Sequence, residues 1–83
     1  MKFKSIGENF RKECLDIKNN TFRKVEDTDL RKVLLDCFIT GDVCNLLIEI
    51  SNPKTNEAFA RRVRDVTFWD NYYIITWFEG VQF

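Results

Sequence analysis

The chain has 83 residues, 45% hydrophobic and 14% aromatic with only three glycines and one proline, which excludes a disordered or low-complexity polymer. Thirteen basic residues balance thirteen acidic ones, nine against eight over residues 1–42 and four against five over residues 43–83, so no strong field favours a phosphate backbone. There is no histidine, which removes the usual general base, the Ser-His-Asp and Cys-His arrangements and most zinc sites.

Met1 to Ser5 leads into charged residues rather than into the apolar stretch of a signal peptide, and no run approaches the ~18 apolar residues of a membrane span. The expectation is one small cytoplasmic globular domain over residues 1–83, with no membrane contact. Cys14, Cys37 and Cys44 follow no metal-ligand spacing and sit among apolar neighbours, as buried, reduced thiols do.

In chain order, Ser5 to Lys18 reads as an amphipathic helix, because Ile6, Phe10, Cys14 and Ile17 recur three to four apart with Phe3 one turn before. Ser5 followed by Glu8 fits a capping box, and Asn19 with Asn20 supplies a stop. Thr21 to Val25 reads as a short strand. The polar break Glu26 Asp27 Thr28 Asp29 suits a helix cap better than a metal site. Leu30 to Ile39 fits two patterns. Leu30, Val33, Leu34, Cys37 and Phe38 make a helix stripe, whereas Val33, Leu35, Cys37 and Ile39 make one face of a strand, and the following Thr40 Gly41 Asp42 is a hairpin-type turn.

Cys44 to Ile50 reads as a strand, followed by a four-residue loop Asn52 to Thr55, a strand Glu57 to Trp69, a two-residue turn Asp70 Asn71 and a last strand Tyr72 to Glu79. The fold class is therefore α+β: an N-terminal amphipathic helix on an antiparallel meander of three to four strands, with residues 30–39 as a second helix or a further strand. The short turn sets Trp69 opposite Tyr72, Phe68 opposite Tyr73, Val66 opposite Ile75, Arg64 opposite Trp77 and Arg62 opposite Glu79. The loop sets Ile48 opposite Phe59 and Leu46 opposite Arg61, whose inward direction suggests a bulge or an edge there.

This pairing gives two unlike faces. Leu46, Ile48, Ile50, Phe59, Val63, Ile74 and Phe78 make the core face. Arg62, Arg64, Phe68, Tyr73, Ile75 and Trp77, with Asn45 and Glu49, make the second. If residues 30–39 are a helix lying across that second face, its aromatics are ordinary core. If not, it is a binding surface, and Arg62, Arg64, Phe68, Tyr73 and Trp77 are the residues expected to touch a partner, because rigid aromatics and guanidinium groups give contact area for little lost entropy.

No catalytic residue, metal ligand or cofactor motif is expected. The leading functional expectation is a non-enzymatic protein-interaction module that binds a larger macromolecular partner, with inhibition of that partner as one outcome and a homodimer through the same face as a variant. An inhibitor of the kind phages direct against host defence systems is suggested by size and absence of motifs alone. The second expectation is single-stranded RNA or DNA binding on the same face, with aromatics stacking on bases and arginines on phosphates. A third is a subunit whose site is completed within an enzyme complex.

Overall fold

Asp70 and Asn71 both adopt positive φ, 51° and 66°, as a two-residue hairpin of primed type requires. That turn aligns Trp69 with Tyr72, Phe68 with Tyr73 and Val66 with Ile75, as the sequence implies. The computed structural model describes residues 1–80 as an α+β fold of two helices and five strands. In chain order these are β1 (Lys2–Lys4), α1 (Gly7–Cys14), β2 (Asn20–Arg23), α2 (Arg31–Thr40), β3 (Leu47–Asn52), β4 (Glu57–Trp69) and β5 (Tyr72–Trp77). The sheet order is β1-β3-β4-β5-β2, antiparallel except for the parallel β1–β3 pair.

β4 is the hinge of the architecture. Residues 57–62 pair with β3 and residues 63–69 pair with β5, and the register slips between Val63 and Asp65, leaving Arg64 as the extra residue of a bulge. The bulge explains how Val63 and Val66, three apart and so on opposite sides of a regular strand, are both buried. It also corrects the expected pairing beyond this point: Val63, not Arg64, opposes Trp77, and Phe78 N–H donates to Arg62 O. The inward residues of β5 are therefore Tyr73, Ile75 and Trp77, while Ile74 and Phe78, expected in the core, lie on the other side.

The β3–β4 loop lies one residue later than expected, which shifts the cross-strand register by two. Ser51 and Asn52 continue the strand against Ala58 and Glu57, Ile50 rather than Ile48 opposes Phe59, and Ile48 opposes Arg61. Asn52 Oδ1 accepts the Lys54 N–H and Asn56 takes a positive φ of 60°, so the turn is built from Pro53 to Asn56. An even displacement leaves every side chain on its expected face.

Both helices cover the same side of the sheet. Phe10 of α1 packs its ring 5.5 Å from Phe59, which lies 6.2 Å from Trp77, and Leu35 of α2 is fully buried in the same cluster. Tyr73 fixes α2 to β5: its hydroxyl donates to Asp36 and accepts from Lys32 Nζ at 2.7 Å. The sheet curls around this core far enough to bring its two edge strands within one side chain of each other. Arg23 of β2 donates to Lys4 O, and Arg31 of α2 to Lys2 O, each at 2.7 Å, with both guanidinium groups over the Phe3 ring. These are outward carbonyls of β1, so the exposed edge of that strand is capped.

The helices depart from the sequence reading in instructive ways. α1 is shorter than Ser5 to Lys18, and Ser5 forms no capping box, because its hydroxyl donates to Glu13 Oε1 at 2.9 Å. Of the expected stripe only Phe10 is buried; Cys14 is half-buried, and Ile6 and Ile17 are exposed. The helix ends where Arg61, bent back over Phe59, binds Cys14 O at 3.1 Å and Asp16 Oδ1 at 3.3 Å. Arg61 thus marks a helix clamp, not the bulge. The ambiguous segment is helical, as α2 over Arg31–Thr40, closed by Gly41 at φ 87°. Its buried side centres on Leu35 with Phe38 packed beside it, while Leu30, Val33 and Leu34 of the expected core stripe are exposed, Leu30 by 84%. Cys14 and Cys37 are half-buried, but Cys44 is exposed rather than buried.

At the start of α2, Asp29 accepts from the Arg31 side chain and from the Arg31 backbone N–H, and these bonds hold its carboxyl at about 2. Carboxyl NMR titration is expected to place the Asp29 midpoint near that value. A folded value below the unfolded one, about 3.9, means the linked stabilisation is present above the unfolded value and is lost as pH falls through the folded one. Arg31→Ala should return the midpoint towards about 3.9; an unchanged midpoint would exclude this pair as the cause.

Candidate interaction face

Because both helices sit inside the curl, no helix among the described residues covers the outer, convex side of the sheet. Its composition follows from the register. One cross-strand row is Thr67, Ile74 and Phe22, and the next towards the hairpin turn is Trp69 and Tyr72. On the far side of the bulge the row is Leu47 and Arg62, with Phe78 alongside, the Arg62 guanidinium lying 4.7 Å from the Phe78 ring centre. Trp69 is 67% exposed, Leu47 61% and Phe22 56%, with Tyr72 and Phe78 also open. Arg64 and Asp65 occupy the outward position at the bulge, facing Thr76, and Lys2 and Glu49 lie towards β1.

The five residues singled out from sequence do not share this surface. Arg62 and Arg64 are on it and exposed. Trp77 has no exposed surface and Tyr73 almost none; both belong to the concave core. Phe68 stands beside Tyr73, ring centres 4.9 Å apart, half-exposed at the rim under α2. The single residue inserted at the bulge moved β5 by one position relative to the arginines, and a one-residue slip exchanges the faces. Phe22, Leu47, Trp69 and Tyr72 were missed as members of the surface. The available signal was the three-residue spacing of Val63 and Val66, which no regular strand can bury together.

The face is apolar at its centre and mixed in charge around it, with Lys2, Arg62 and Arg64 beside Glu49 and Asp65. Isolated exposed apolar residues are ordinary, but a contiguous set of aromatic and branched side chains on a bare sheet is the pattern of an interaction surface. Among the described residues no group of His, Cys, Asp and Glu is placed to hold a metal ion, and no helix is long and apolar enough to cross a membrane. Comparison with protein-family models, with curated proteins and with solved structures returned no match.

Proposed function

We propose that the protein is a non-enzymatic interaction module that binds a larger protein through the convex face of its sheet. The observation that carries this reading is the set of exposed Phe22, Tyr72 and Trp69 around half-buried Ile74, extended across the bulge by Leu47 and Phe78. Arg62 and Arg64 flank it with planar cations suited to carboxylates on a partner. Charge balance favours a protein over a nucleic acid, whose phosphates call for a basic excess. Covering a site on the partner would make the module an inhibitor. Free Cys14, Cys37 and Cys44 suit a reducing compartment, and we assign the protein to the cytoplasm on that ground.

The same aromatics offer stacking platforms for single-stranded nucleic acid, and fluorescence separates the two readings. Trp77 is buried, so changes in tryptophan emission on ligand addition report on Trp69. An oligothymidine is expected to leave that emission unchanged at low salt. Saturable quenching that disappears as salt rises would replace the protein partner by nucleic acid.

A further inference from the structure

The two edges of the sheet are finished differently. On β1 the outward carbonyls of Lys2 and Lys4 are capped by arginines. On β2, Asn19 O accepts the Trp77 N–H, so the antiparallel alternation turns the backbone groups of Thr21 and Arg23 towards β5 and those of Asn20 and Phe22 away from it. No hydrogen bond reaches the outward N–H and C=O groups of Asn20 and Phe22 among the described residues. An unpaired edge of this kind is a template for another strand.

That edge borders a cavity of about 490 Å³, walled by Thr21, Phe22 and Arg23 on one side and by the β1–α1 segment with Glu13 on the other. The size is that of a ligand site rather than a packing defect. Glu13 is 1% exposed; its Oε1 accepts from Ser5, while Oε2 has no hydrogen-bond partner among the described residues. A buried carboxylate oxygen without a donor is costly, and it marks where a ligand N–H is wanted. Lys4, Lys18 and Arg23 also line the cavity, and none of them makes an ion pair among the described residues.

We propose that this groove binds an extended acidic peptide by strand addition. The peptide backbone pairs with Asn20 and Phe22 along the free edge of β2. Its acidic side chains meet Lys4, Lys18 and Arg23, and an N–H on its far edge supplies the missing donor to Glu13 Oε2. Main-chain pairing gives affinity in this mode, and the surrounding side chains set which sequences fit. The four residues of β2 span ~13 Å, enough to register a short segment. The groove is separate from the convex face, sharing only Phe22 with it.

The test uses the full chain and two blocked hexapeptides, one alternating valine with glutamate and the other valine with lysine. Titration followed by fluorescence anisotropy is combined with amide hydrogen exchange. The glutamate peptide is expected to bind at least about tenfold more tightly than the lysine peptide and to slow exchange at Asn20 and Phe22. Lys18→Glu should weaken it by about tenfold or more. Asn20→Pro removes an outward N–H without breaking a bond to β5, and should reduce binding while the fold persists. Equal binding of the two peptides, absence of binding at millimolar peptide, or protection at Trp69 and Tyr72 without protection at Phe22 would overturn the proposal.

Discussion

Trp77→Ala is expected to lower the unfolding free energy by about 3 to 5 kcal/mol, measured by urea denaturation. Trp77 has no exposed surface and sits where the hinge strand changes partners, opposite Val63 and 6.2 Å from Phe59. Removing the indole leaves a cavity at the point where the Phe10–Phe59 contact anchors α1. The surrounding β4 and β5 cannot collapse into it without breaking their ladder. Trp77→Phe should be much milder, because it keeps a ring in place and deletes an Nε1–H that has no hydrogen-bond partner among the described residues. A loss below about 1 kcal/mol for Trp77→Ala would mean that the indole is not the centre of the core, and the face assignment of β5 would fail with it.

Trp69→Asp is expected to have the opposite profile. Trp69 lies outside the core at the end of the hairpin, across from Tyr72, so its removal should change stability by no more than about 1 kcal/mol, the worth of one cross-strand pair. Binding of a protein partner should fall by about 30-fold or more, equivalent to ~2 kcal/mol, since an exposed tryptophan in an apolar patch is the kind of side chain most often decisive in an interface. Competition titration with the isolated partner reads this directly. The two tryptophans thus separate the two sides of one sheet, one carrying the fold and the other recognition.

Much of this arrangement is legible in the residues. The Asp70-Asn71 turn and the pairs next to it follow from local chemistry, as do the presence of α1 and the inward direction of Ile48 and Ile50. The parts that were hidden depend on distant partners. β1 is three residues, Lys-Phe-Lys, and becomes a strand only by pairing in parallel with β3, almost fifty positions away. α2 is apolar on two sides, so periodicity alone cannot say which side is inward; Leu35 wins because Lys32 and Asp36, next to it on the helix, reach Tyr73. The bulge carries no glycine or proline to announce it. Since it displaces everything beyond Val63 by one position, that single residue decided which aromatics share a face with Arg62 and Arg64.

Binding of a protein by the convex face can be read from a photocrosslinking amino acid placed at position 69 and, as a control, at exposed Glu8 on α1. With the protein expressed in its native cell, one discrete crosslinked protein is expected from position 69, absent from position 8 and lost when Arg62 and Leu47 are both replaced by aspartate. Crosslinks of equal yield from both positions, or none from position 69, would contradict it.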